Sequence, residues 1–202
     1  MTAAFVVAVC GPPGSGKSSV SRALAARLGN APVIAYDAYE RITAWPPARV
    51  AAWHAAGASY DAVPTPGLAE DLARLRHGEP VADRVGGGVL QARASAGGRR
   101  TIVFDTLLGR ANAATGALVD HLVWLDLPPD LALVRKLRAL LSAMPDAGAL
   151  ADYLAHYETL LRPTYAVQRD RVRPDADQIL DATAPVESLA GAVAAAVAGS
   201  LQ

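Results

Sequence analysis

The sequence predicts an α/β fold, a five-stranded parallel sheet with helices on both faces, and three observations carry the prediction. Five short apolar runs alternate with helical stretches along the 202 residues, which implies parallel strands joined by right-handed crossovers. The run Gly11-Pro12-Pro13-Gly14-Ser15-Gly16-Lys17-Ser18 lies between the first strand and the first helix, the context that a phosphate-binding loop requires. Finally, Asp37, Asp105 and Asp126 each follow one of the apolar runs. In an open parallel sheet, ligands sit beyond the carboxyl ends of the strands.

Taken in order, Phe5 to Val9 is apolar and β-branched and reads as a buried parallel strand. Ser18 to Leu28 is rich in helix formers, with Gly29-Asn30 as its stop. The second strand spans Pro32 to Tyr36. The segment 38–100 is too long for an ordinary crossover and reads as an insertion that grips a second substrate. It holds a helix near Pro47 to Ala56, a turn from Gly57 to Pro66 and a helix near Leu68 to Arg76. Gly86-Gly87-Gly88 is a break, and Gly97-Gly98 leads into the third strand, Thr101 to Phe104. His121 to Leu125 is the fourth strand. From Asp130 a helix runs through Arg135 and Arg138 toward Leu141, is broken at Met144-Pro145-Asp146-Ala147-Gly148, and resumes from Leu150 to Leu161. Residues 135–161 therefore form a lid-like segment. Gln178 to Leu180 is the fifth strand, and the alanine-rich stretch Val186 to Leu201 reads as a packing helix.

Composition sets limits. A length of 202 residues suits one domain, and 52% hydrophobic content is ample for a core covered on both faces. Formal net charge is zero, which argues against a nucleic-acid groove, although Arg99-Arg100 and Arg169 to Arg173 are local basic patches. The single cysteine, Cys10, excludes an internal disulfide and reads as a small buried core residue. The first residues lack a basic stretch followed by a long apolar run, and no later run reaches transmembrane length, so the expectation is a cytoplasmic protein without a membrane partner. The sequence is compatible with a homodimer. The four histidines show no metal-ligand spacing. Of the 19 basic residues, 17 are arginines, and the two lysines are Lys17 and Lys136. The loop lysine thus stands out as a position needing a compact ammonium head.

The chemistry follows from the loop. Gly11, Pro12, Pro13, Gly14, Ser15, Gly16, Lys17, Ser18 and Ser19 form a nucleotide-binding set whose backbone N–H groups and helix dipole hold a polyphosphate. Lys17 reaches the β- and γ-phosphates, and the Ser18 hydroxyl ligates Mg²⁺. Asp105 would hold the metal directly or through water, or would be a solvated turn residue. Asp37 would take the acceptor hydroxyl proton, or would cap a helix beginning at Ala38. Arg135 and Arg138, three apart on one helix, would stabilise charge on the transferring group, or would be solvated or paired. The expected ligands are thus ATP with Mg²⁺ and a small-molecule acceptor.

With these residues in view, the chain resembles the uridine kinase and phosphoribulokinase group of P-loop kinases. The resemblance lies in Tyr36-Asp37-Ala38-Tyr39, in Tyr60-Asp61-Ala62-Val63-Pro64-Thr65-Pro66, and in Leu72-Ala73-Arg74-Leu75-Arg76-His77-Gly78-Glu79-Pro80-Val81. Later, Arg162-Pro163-Thr164-Tyr165 and Val172-Arg173-Pro174 are similar to the family's closing signature. The resemblance implies a P-loop kinase fold and an acceptor site drawing on Asp37, Tyr39, Asp61 and Arg110; Asp61 would contact acceptor hydroxyls, or would only form its turn. The chain departs from that group at Asp105, where uridine kinases usually carry glutamate, and at Ala139 to Leu161, which contains no arginine. A different acceptor is therefore expected: another nucleoside, a vitamin precursor or a sugar-like alcohol. The competing reading is a regulatory switch that hydrolyses ATP or GTP slowly. The absence of an Asn-Lys-x-Asp run argues against its GTP version.

Overall fold

A computed structural model of the chain describes residues 3–94, 99–141 and 146–199. Five parallel strands form one sheet: β1 (Phe5–Cys10), β2 (Val33–Ala35), and, after a hairpin of β3 (Val81–Ala82) and β4 (Val89–Leu90), β5 (Thr101–Asp105), β6 (His121–Asp126) and β7 (Gln178–Asp181). Their order across the sheet is β2-β5-β1-β6-β7, with β1 at the centre. All five strands read from the sequence are present, and β1 is buried along its whole length. Alternate residues of β1 serve opposite faces. Phe5, Val7 and Val9 pack with Leu24 of α1 (Lys17–Arg27) and Val193 of α8 (Val186–Gly199). Val6, Ala8 and Cys10 pack with Leu72 of α3 (Leu68–His77) and with Trp124.

The insertion contains α2 (Pro47–Ala55) and α3 at nearly the expected bounds. The β3–β4 hairpin was not expected. Asp83 makes its turn by accepting from the N–H groups of Val85 and Gly86, both at 2.9 Å, which leaves the glycines to supply the left-handed residues Gly87 and Gly88. The short helix α4 (Ala113–Gly116) is capped by Asn112, which accepts from Thr115 N at 3.0 Å.

After β6 come α5 (Pro129–Leu141), α6 (Ala147–His156), a π-helical turn (Tyr157–Leu161) and α7 (Arg162–Val172). Asp146 caps α6 by accepting from Ala149 N at 2.9 Å. The wide turn has a local cause: Pro163 has no N–H to give to the Thr159 carbonyl, so the ladder steps outward there. The expected breaks at Gly97-Gly98 and at Met144-Pro145, and Leu201 at the end of the tail, lie outside the described residues.

The amino ends of the strands are bolted by arginine–aspartate pairs. Arg76 of α3 donates to Asp120 at 2.8 and 2.9 Å, and Asp120 also accepts from Val6 N at 2.8 Å. The opposite edge of the sheet, where β1, β2, β5 and β6 end, carries the site.

Candidate active site

The phosphate loop turns between β1 and α1 through three glycines that no other residue replaces easily. Gly14 and Gly16 have φ of +84° and +87°, in the left-handed region. A Cβ on Gly14 would also lie 2.7 Å from the Ala132 carbonyl oxygen, so α5 rests directly on the loop. A Cβ on Gly11 would lie 2.7 Å from the Leu125 carbonyl oxygen. The hydroxyl of Ser15 is buried, with no hydrogen-bond partner among the described residues. An orphaned buried hydroxyl inside a turn of this shape is what an oxyanion would satisfy.

Lys17 is half-buried and folds back on its own loop, its Nζ donating to Gly11 O at 3.0 Å and Pro12 O at 3.2 Å. Burial pulls its pKa down, opposed by the negative charges of Asp105 and Asp37. Asp105 closes β5, with the Ser18 hydroxyl beside it. Burial raises the Asp105 carboxyl, the neighbouring Ser18 hydroxyl and Lys17 lower it, and the Asp37 charge raises it further. Asp37 lies in a 3₁₀ turn (Tyr36–Ala38), exposed. No helix begins at Ala38 for it to cap. Lys17, Ser18, Asp105 and Asp37 therefore stand together at the carboxyl ends of β1, β2 and β5. A hydroxyl and a carboxylate side by side form an all-oxygen donor set that fits a hard divalent cation completed by phosphate oxygens.

On the other side of the loop, a cleft of about 1100 Å³ runs from Pro12 and Pro13 between α5 and α7. Trp124, Tyr153, Tyr157 and Tyr165 line it together with Lys136, Arg162 and Arg169. The Tyr153 hydroxyl within it is buried and has no partner among the described residues. Asp126 forms part of its wall, accepting from Trp124 Nε1 at 3.0 Å and from Arg173 at 3.1 Å. Burial pushes its pKa up, but these donors outweigh burial and hold it below the usual carboxylate value.

A third cation of α5, Lys136, lines the cleft together with Pro12 and Pro13. Lys136 is close enough for its charge to lower the Lys17 pKa, and it forms no ion pair among the described residues. Arg135 instead donates to the Ala182 carbonyl at 2.9 Å, which ties α5 to the end of β7. Arg138 is exposed on α5. The available signal was the rarity of lysine: the chain has two, one in the loop and one in the cleft that starts from it.

Three acceptor-site expectations also change or sharpen. Arg110 is held at the amino ends of the strands by Asp177, at 2.6 Å, and by the Asp175 carbonyl, at 2.9 Å. Asp177 also accepts from Leu122 N at 2.7 Å, so Arg110 belongs to the fold, far from the loop edge. Tyr39 is 1% exposed, and its hydroxyl donates to Asp71 at 2.9 Å while Arg84 lies 4.0 Å above its ring. It braces α3 and has no surface to offer a substrate. Asp61 is exposed and accepts from Ala113 N at 2.7 Å through Oδ1, joining the insertion to α4.

No family model matches the chain, and no curated protein matches it in sequence. Among solved structures it is similar to a protein provisionally assigned as a fructose transport system kinase from Silicibacter sp. TM1040, at 20% identity over 89% of this chain and 91% of that one, with a TM-score of 0.58. It is also similar to shikimate kinase from Acinetobacter baumannii, solved in complex with shikimate, at 16% identity over 98% and 94% of the two chains, with a TM-score of 0.51. At these identities the likeness is one of architecture. The chain has the P-loop kinase fold.

Proposed function

We propose that this chain is an ATP-dependent phosphotransferase that moves the γ-phosphate onto a hydroxyl of a small molecule: a nucleoside, a vitamin precursor or a sugar-like alcohol. The observation that carries the reading is the grouping of Lys17, Ser18, Asp105 and Asp37 around one phosphate loop. Phosphoryl transfer asks little covalent chemistry of a protein and depends on positioning and charge. Those four side chains provide for both.

The loop N–H groups and the α1 dipole bind the phosphates. Lys17 leaves its two carbonyls to meet the β- and γ-phosphates. Ser18 and Asp105 would hold Mg²⁺, which when bound neutralises phosphate charge. Asp37 orients the acceptor hydroxyl and takes its proton as the acceptor oxygen bonds to the γ-phosphorus and the bond to the departing ADP oxygen breaks. Lys136 adds positive charge from α5. The base lies on the cleft side, against the tyrosines, and the acceptor on the Asp37 side. Asp61 keeps Oδ2 for an acceptor hydroxyl, in line with the resemblance around Tyr60-Asp61-Ala62.

A panel of nucleosides, vitamins and sugars scored for acceptor-dependent ADP release tests the reading. At least one acceptor is expected to raise ADP release well above the acceptor-free rate. Binding of ATP with slow hydrolysis that no acceptor accelerates would instead identify a nucleotide switch.

A further inference from the structure

Gln168 of α7 is 3% exposed, and its Nε2 donates to two main-chain carbonyls, Gly11 O at 3.2 Å and Leu107 O at 3.2 Å. Gly11 opens the phosphate loop, and Leu107 follows two residues after Asp105. The Gly11 carbonyl therefore accepts from two side chains, because Lys17 Nζ lies 3.0 Å away. A carbonyl oxygen has two lone pairs and accommodates both donors. The two have different futures. Lys17 has to leave Gly11 when it turns to a polyphosphate, whereas Gln168 has nowhere else to go. Gly11 is buried, and a buried carbonyl stripped of its partners is costly.

We infer that Gln168 is a positioning residue for the loop lysine. It holds the Gly11 carbonyl in both states, so that releasing Lys17 toward a phosphate orphans no buried acceptor. Without Gln168, Lys17 is the last partner of that carbonyl among the described residues and is retained on its own loop. The inference rests on the loop being a triphosphate site. Its second bond, to Leu107, holds the strand-end loop after Asp105 to the same amide, so the metal side and the lysine side share one anchor.

The test is a double-mutant cycle on ATP affinity in the full chain, measured by titration calorimetry, with thermal melting of every variant. Gln168→Met keeps the length of the side chain and removes both donors. It is expected to weaken ATP binding by about tenfold, the scale of one buried acceptor left unsatisfied. In a Lys17→Met background the same change is expected to cost less than about twofold, because no lysine then leaves Gly11 on binding. An equal loss in both backgrounds would show that Gln168 only shapes the loop, and no loss in either would show that it does nothing for binding; both overturn the inference. Should Gln168→Met fail to melt cooperatively, Gln168→Asn, whose amide stops one carbon short of both carbonyls, enters the same cycle. Failure of both to fold would make Gln168 a folding determinant and overturn the positioning role. Absence of ATP binding by the unsubstituted protein would overturn the triphosphate reading and this inference together. Normal binding with an unaffected variant overturns only the latter.

Discussion

Asp37 has the sequence neighbourhood of a cap and the proposed role of a base. It follows β2 directly, makes no cap, and shares the field of Lys17 and Asp105. Asp37→Asn is expected to leave ATP affinity unchanged and to lower kcat with the best acceptor by roughly 10²–10⁴-fold, the usual range for a positioned general base. Calorimetry and initial rates on the same preparation check both halves, and an unaltered kcat would assign the proton to another group. The glycines of the loop separate two physical causes. At Gly16, with φ +87° and nothing within 4 Å of a built Cβ, Gly16→Ala is expected to lose about 1–2 kcal/mol of stability, the cost of a left-handed alanine. Gly14→Ala carries that cost and also drives a methyl against the Ala132 carbonyl, 2.7 Å away. Urea denaturation is expected to rank Gly14→Ala below Gly16→Ala, and a reversed order would show that α5 does not rest on the loop.

Helix α5 illustrates how packing gives neighbouring cations different surroundings. Three basic residues lie within one turn or so, and a linear reading favours the two arginines because arginine binds phosphate bidentately. Packing distributes them differently: Arg135 is drawn to the Ala182 carbonyl, Arg138 stays exposed, and Lys136 lines the cleft that begins at Pro12 and Pro13. Lys136→Ala is therefore expected to lower kcat/KM by roughly 10- to 100-fold, the worth of one hydrogen bond to a charged group, with Arg138→Ala close to normal. Steady-state rates on the two variants settle it, and the opposite ranking would return the role to Arg138. The phosphate loop, the five strands and the strand-end aspartates were legible because each is written in a short contiguous pattern. Lys136 and Gln168 were not, since their roles arise from α5 and α7 packing onto residues more than a hundred positions away. Arg110 and Tyr39 were misplaced for the same reason, because Asp177 and Asp71, which claim them, leave no mark near them in the sequence. The β3–β4 hairpin was missed because two-residue strands carry no periodicity.

Across the molecule, five phenols and the thiol are shifted upward by burial, and this sets how stability responds to alkali. Burial pushes the Cys10 thiol up to about 12 and the Tyr39 phenol up to about 12. Tyr36, Tyr60, Tyr153 and Tyr165 are shifted in the same direction, in each case chiefly by burial. These groups sit on the central strand, in the turn after β2, on the insertion and along the α6–α7 arm. A group whose pKa is higher when folded holds its proton more tightly in the native state. Its stabilisation is complete below the unfolded pKa, which is 9.0 for the thiol and 10.0 for a phenol, and is lost as pH rises toward the folded value. Lys17 acts in the opposite sense, since burial lowers its pKa and relieves a buried charge as pH rises, but it is one group against six. Urea denaturation is therefore expected to show little change in midpoint between pH 7 and 8.5 and a progressive fall above pH 9.5. Below the unfolding transition the phenolate absorbance should lag well behind that of free tyrosine, and it should rise together with loss of helix signal. Cys10 should resist alkylation at pH 9 until the chain unfolds, because its thiolate is not formed in the native state. A midpoint flat to pH 11, or phenols ionising near pH 10 with the helices intact, would mean that the tyrosine-lined cleft and the insertion core are open to water in solution.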